Sequence, residues 1–214
     1  MSNAAANNTT RRTQAERRES TIARLVDATI SCLVSAGYSG TSVKAIAEQA
    51  GLSQGAIFRH FATRQELLMA TMEAIDDRFI DGYRAFVSEL RKSDTDEIRV
   101  AVLALHKITN TPEQIAWFEV QQAARTDLAL QEAFRPIFLR NQKKNIALAS
   151  ELFPDTINAF PMQDVMVQLL IQVFHGQTLD AHIEQSESKA QAMLDATTQL
   201  GHMGFQMLSS LTKR

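Results

Sequence analysis

An all-α chain of about nine helices is the fold class this sequence predicts, and three observations carry the prediction. Apolar residues recur at helical spacing through most of the 214 residues, no segment alternates strictly with period two between turn signals, and only 4 residues are proline. The breaks between the periodic stretches are short and polar, as connections between packed helices are. Hydrophobic residues make up 45% of the chain, enough for one fair-sized core or for a small domain joined to a larger one.

Residues 1–12 are rich in Asn, Ala and Thr, lack apolar anchors and end in Arg11-Arg12, so they are expected to form a flexible arm. A first helix follows, with Ile22, Leu25, Val26, Thr29 and Leu33 on one face and Gly37 as its expected stop. Val43, Ile46, Ala47 and Ala50 then mark a short second helix. Gly51 supplies the positive φ for a sharp turn, and Ser53 is placed to cap a third helix. In that helix Leu52, Ala56, Ile57 and Phe61 face inward, leaving Gln54, Gly55, Arg59 and His60 outside. Two short helices meeting at Gly51-Leu52 make a helix-turn-helix. Its outer face of amide, glycine, guanidinium and imidazole suits phosphates and base edges.

The fourth helix opens on Thr63-Arg-Gln-Glu66, a capping box in which Thr63 and Glu66 each satisfy an orphan backbone donor. Leu67, Leu68, Met72, Ile75, Phe79, Tyr83 and Phe86 continue its apolar stripe to about residue 90, so one rod leaves a three-helix head and enters the body. Further helices are expected at about 96–109, 112–124, 127–151, 161–183 and 188–211, with Pro112 and Pro161 near openings where a missing donor costs nothing. The last two are apolar around most of their circumference. A single buried face would not use all of Leu169, Leu170, Val173, Phe174, Leu200 and Leu208, and Gly201 and Gly204 permit close backbone approach. These eight residues are therefore the expected interface of a homodimer, a four-helix contact between two copies.

The formal charge is −2, but it is uneven: residues 1–68 carry eight Lys/Arg against five acids, a net of +3, and the remainder has a net of −5. A positive head on a negative body would present the head to nucleic acid. No apolar run approaches the roughly 18 residues of a membrane span, and the polar N-terminus has no signal segment, so a cytoplasmic chain without membrane contact is expected. Cys32, the only cysteine, falls between apolar residues as a buried thiol. His106, His175, His182 and His202 lack metal-ligand spacing, and no glycine loop for phosphate is present. No catalytic residue, metal or cofactor is expected.

The pattern Gly37-Tyr-x-x-Thr41-Ser-Val-x-x-Ile46-Ala-x-x-Ala-Gly51-Leu-Ser-x-Gly55-x-Ile-Phe-x-His60-Phe-x-x-Arg64-x-x-Leu67-Leu68 closely resembles the signature of the tetracycline-repressor (TetR) family of bacterial regulators. The resemblance implies a DNA-binding domain at 13–68 and an effector-binding and dimerisation domain at 69–214. By the same resemblance Thr41, His60 and Arg64 contact phosphates, and Gln54, Gly55, Ala56 and Arg59 face bases in the major groove of double-stranded operator DNA. Lys44 lies near phosphate. Phe58 stands where the family often has tyrosine, which removes a hydroxyl contact and leaves packing against sugar. Family bodies enclose an effector, which implies a small apolar or amphipathic molecule here. Phe79, Phe86, Trp117, Phe118 and Phe138 are the expected apolar lining, with His106, Glu119, Gln122, Asn141, Gln172 and His175 as polar handles. The implied function is a repressor released from a palindromic operator by that effector. The alternative is a repressor with no small-molecule effector.

Overall fold

The computed structural model describes residues 13–157, 162–184 and 186–211, and these residues form ten helices. They are α1 (Gln14–Gly40), α2 (Val43–Ala50), α3 (Gln54–Phe58), α4 (Arg64–Leu90), α5 (Glu97–Thr109), α6 (Pro112–Ala124), α7 (Leu128–Leu152), α8 (Pro154–Ile157), α9 (Gln163–Glu184) and α10 (Glu187–Leu211). The expected arm with Arg11 and Arg12, the Leu208 side chain and Pro161 lie outside the described residues. The helix beyond the expected nine is α8, a single turn started by Pro154 and too short to leave a periodic signal.

Caps explain most boundaries. Thr13 and Glu16 form a reciprocal capping box at the start of α1, and Ser42 and Ser53 accept the amides of Ala45 and Ala56 at 3.1 and 3.2 Å. At α4 the box is modified: Thr63 accepts the Glu66 amide at 3.1 Å, but the Glu66 carboxylate takes the amide of Ala62 at 2.7 Å instead of that of Thr63. Gly51 ends α2 in the left-handed region (φ 60, ψ 40), as its position predicts. Gly37 also has positive φ, but it kinks α1 instead of stopping it, and one more turn runs on to Gly40. The Glu119 carboxylate on α6 accepts the Tyr38 amide at 3.2 Å just past that kink, so the amide freed by the break is satisfied from the body.

Three apolar clusters run along the molecule, and α4 contributes to each. Leu67 joins Leu25, Ala28, Cys32, Ile46, Ala47, Ala50 and Ile57 in the head. Leu68, Met72 and Ile75 join Val26, Ile30, Leu33, Trp117, Phe118 and Phe134 in a middle cluster. Phe79, Tyr83 and Val87 join Val100, Leu105, Leu148, Phe153 and Phe174 in the far body. α1 serves the first two clusters with different faces, which is why it is apolar on more than one side. The α4–α5 contact is close at Gly82, where a Cβ would come 2.7 Å from the Ile108 side chain.

Candidate DNA-binding face and body cavity

The helix-turn-helix is held from behind. Arg24 on α1 donates to the Ala50 carbonyl at 2.6 Å, closing the end of α2, and Ile57 anchors α3 with 1% exposure. Since α3 is only five residues long, anchoring one apolar side fixes which groups look outward. Gln54, Gly55 and Arg59 are exposed, Ala56 is half-buried, and Phe58 keeps 51% of its surface exposed. A Cβ at Gly55 would meet only Ser53 Oγ at 3.9 Å. Nothing inside the chain demands glycine there, so the missing side chain leaves room for something outside it.

Arg59 and His60 stand in the turn after α3, not within the helix, because Phe61 folds back to bond Ile57 through its amide at 3.0 Å. They share a surface groove with Gln14, Arg17, Arg18 and Thr21 of α1. Arg17 and Arg18 thus extend the basic face. Sequence reading counted them only in the head's net charge, although their adjacency in a basic pair before the first apolar stripe was the available signal. His60 Nδ1 is buried without a partner among the described residues. Lys44 is exposed, with a loose 3.9 Å ion pair to Glu48, and remains free to move.

Two residues expected at phosphate have partners inside the protein. Thr41 is fully buried, and its hydroxyl donates to the Gly37 carbonyl at 2.8 Å. Arg64 donates from Nε to the Thr41 carbonyl at 2.6 Å and from Nη2 to the Tyr38 carbonyl at 2.7 Å, with its guanidinium 4.4 Å over the Tyr38 ring. It locks the first turn of α4 to the end of α1.

In the body, an apolar cavity of about 60 Å3 lies between α4, α5, α7, α8 and α9. Its walls include Phe79, Tyr83, Leu105, Leu148, Phe153 and Leu170, and Asn145 brings an amide to it. Of the expected effector residues only Phe79 lies on this wall. Trp117 and Phe118 are buried in the middle cluster, Phe138 packs beside it, and Phe86 lies half-buried under Lys107. Glu119 caps Tyr38, Gln122 and Gln172 are exposed, and Asn141 donates to Asp76 at 2.7 Å. His175 stands edge-on to Phe118 at 4.1 Å, and burial lowers its pKa to about 4. His106, also lowered by burial, faces a second cavity of about 70 Å3 between α5, α9 and α10. Most of the expected aromatics fill the clusters around α4 and α6, whereas the wall of this cavity is largely aliphatic.

The last two helices divide their apolar residues between two faces. Phe174, fully buried in the body cluster, is a correction to the expected interface, as is Leu170, which turns to the cavity; at about 100° per residue neither shares a face with Leu169. Gly201 also faces inward, where a Cβ would come 2.8 Å from Ile98. Val173 and Gly204 are half-buried. What remains outside is Val165, Leu169, Leu179 and Ile183 on α9 and Met193, Leu200, Met203 and Met207 on α10, exposed by 40–89%. Among the described residues no His/Cys/Asp/Glu group fit for a metal is present, and no helix is long and apolar enough to cross a membrane.

Comparison with known proteins places this arrangement. Residues 25–71, from the middle of α1 to the first turns of α4, match the model of the bacterial regulatory proteins of the tetR family. An uncharacterised HTH-type transcriptional regulator of Mycobacterium tuberculosis is 34% identical over 167 residues, covering 77% of this chain and 84% of that protein. Among solved structures, a transcriptional regulator from Rhodococcus superposes with a TM-score of 0.63 at 21% identity, covering 86% of this chain and 96% of the other. The multidrug binding protein EbrR, complexed with imidazole, gives a TM-score of 0.58 at 21% identity over 86% of this chain and 94% of its own. With the family's motif carried on a capped and anchored helix-turn-helix, the chain belongs to the TetR family of bacterial regulatory proteins and is a DNA-binding regulator.

Proposed function

We propose that the protein is a homodimeric repressor that is released from a palindromic operator when a small apolar or amphipathic molecule enters its body. Residues 13–68 act as the DNA-reading head and 69–214 as the sensing and dimerising body, in the cytoplasm with the chromosome. The observation that carries this reading is the span of α4: Leu67 belongs to the head cluster, and Phe79 and Tyr83, three to four turns on, line the body cavity. A continuous helix transmits a shift that a flexible linker would absorb. In a two-fold dimer the α3 helices must enter successive major grooves, roughly 35 Å apart, so a small tilt of both rods breaks the match. That a multidrug binding protein shares the fold supports a small-molecule effector.

In the DNA complex Gln54, Gly55 and Arg59 face base edges, and Arg17, Arg18, Lys44 and His60 flank them toward phosphate. By linkage the inducer binds the free dimer more tightly than the DNA-bound one, and each tenfold loss of operator affinity requires about 1.4 kcal/mol of that difference. The size of the cavity, about 60 Å3 against roughly 300–1,000 Å3 for ordinary ligand pockets, favours the second reading, a repressor with no small-molecule effector. The experiment is selection of an operator from random DNA, followed by titration of small apolar compounds against the complex. Release by a compound that binds the free dimer supports induction. Compounds that bind the body without altering operator affinity support the second reading.

A further inference from the structure

A polarised chain of amides ends at the cavity wall. Asp76 on α4 is 1% exposed, and its two carboxylate oxygens are both engaged: Lys144 Nζ bonds Oδ2 at 2.7 Å, and Asn141 Nδ2 bonds Oδ1 at 2.7 Å. A carboxylate held by an ammonium only accepts, which fixes Asn141 with its NH2 toward Asp76 and its oxygen away. That oxygen in turn accepts from Asn145 Nδ2 at 3.0 Å, fixing the second amide in the same sense. Asn145, 8% exposed in the wall of the cavity, is therefore left with its Oδ1 pointing onward, buried and without a partner among the described residues. Flipping Asn141 would set its oxygen against the Asp76 carboxylate, and flipping Asn145 would set its oxygen against that of Asn141. The remaining lining is apolar apart from the Tyr83 hydroxyl, whose proton goes to the Ala101 carbonyl at 3.3 Å.

From this we infer that the cavity takes a small neutral molecule of about one ring that carries one hydrogen-bond donor, a phenol or an alcohol, with the donor on Asn145 Oδ1. The inference rests on the effector reading above and names the chemistry of that site. A buried acceptor without a donor is costly, so a ligand that supplies one gains more than its apolar area alone gives. A water needs two to four polar partners, and the wall offers only the minimum, Asn145 and a tyrosine oxygen whose proton is already given to Ala101, so a water there is weakly held. An anion is excluded by the same atom, because Oδ1 would face its charge with no donor. About 60 Å3 is less than the roughly 150 Å3 that holds benzene, so a ring enters as the half-buried Ile157 and Leu170 yield at the wall.

Phenol, anisole and benzene separate the donor from size and from polarity. Titrated by calorimetry into the full-length protein, phenol is expected to bind about tenfold tighter than anisole or benzene, the worth of one hydrogen bond to a buried acceptor. It is also expected to shift the Asn145 side-chain amide resonances where anisole does not. In Asn145→Leu the phenol advantage should vanish while benzene still binds. Equal binding of phenol and anisole by the wild-type protein overturns the inference without any variant, as does no saturable binding of any of the three, or a phenol advantage that survives Asn145→Leu. Operator release is measured separately. Donor-dependent binding that leaves the operator complex intact upholds this ligand chemistry and removes the induction reading.

Discussion

Arg59 and Arg64 show how differently two arginines five residues apart can be employed. Arg59 is exposed on the outer surface with its guanidinium making no hydrogen bond among the described residues, whereas Arg64 joins two backbone carbonyls and covers a tyrosine ring. Arg59→Ala is expected to relax sequence preference by about 1–3 kcal/mol at one base pair if the fork grips guanine, leaving folding intact. Arg64→Ala should lower the melting temperature, since charge-assisted hydrogen bonds each contribute about 1.5–3 kcal/mol, and Lys should not rescue it because one ammonium cannot span both carbonyls in the same plane. Calorimetric melting beside operator binding at two salt concentrations distinguishes the two effects. Equal losses of specific and nonspecific affinity in Arg59→Ala would make it a phosphate contact and move base reading to Gln54. The motif identified both positions, but spacing alone carries no information about where a long flexible side chain ends. His175 has a different consequence. Its pKa falls from 6.5 to about 4 through burial, so the unfolded chain takes a proton below about pH 6.5 that the folded one refuses until about pH 4. Stability is complete above that window and falls as pH drops through it, by about 1.4 kcal/mol per unit at most. Urea unfolding at pH 7 and pH 5 should show a smaller difference in His175→Phe than in the wild type, with His106, lowered in the same direction, supplying what slope remains.

At the scale of elements, the joint between α1 and α6 is as informative as α4. The kink at Gly37 frees the Tyr38 amide, Glu119 fills it, and Arg64 takes the Tyr38 carbonyl, so three helices are tied at one residue. Glu119→Ala is expected to destabilise the protein by about 1–3 kcal/mol by leaving that amide without its acceptor, while ligand binding in the body stays unchanged because the cavity wall does not include it. Loss of ligand affinity with unchanged stability would return Glu119 to the polar-handle role that sequence reading suggested. Apart from the end of α1, boundaries of the long helices were legible to within a residue or two because cap, stripe and breaker agreed, as at Thr63 and Leu90. The cavity was not legible. Its wall gathers residues from five helices, and which aromatic on a broadly apolar helix faces a gap depends on crossings that no local pattern encodes. Asn145 was missed for a related reason: a polar residue in a helix stripe has no signal distinguishing it from a solvated one until Asn141 and Asp76 stand beside it.

For the whole molecule, the exposed stripe on α9 and α10 is the surface on which the proposed dimer would close. Met193, Leu200 and Met207 fall seven residues apart and Met203 joins them on the same side of α10, while Val165 and Leu169 face out one turn apart on α9. Burying large side chains of this kind contributes about 1.5–3 kcal/mol each, so a second copy laid across both helices gains enough to offset the entropy of association. Leu169→Glu and Leu200→Glu, both at positions already half or more exposed, should leave the monomer folded and split the dimer, because each variant dimer would then bury two unpaired carboxylates, one from each copy, near the two-fold axis. Leu170→Glu would be a poorer probe, since it would put a charge into the cavity wall and confound assembly with folding. Sedimentation should show wild type near twice the 23.8 kDa chain mass and the two variants near that mass itself. Binding to a palindromic operator should fall steeply in the variants, while binding to a single half-site, which needs only one head, should change little. A wild type that sediments as a monomer and still occupies the palindrome one subunit at a time would reject the dimer, and with it the claim that head separation is what an effector changes.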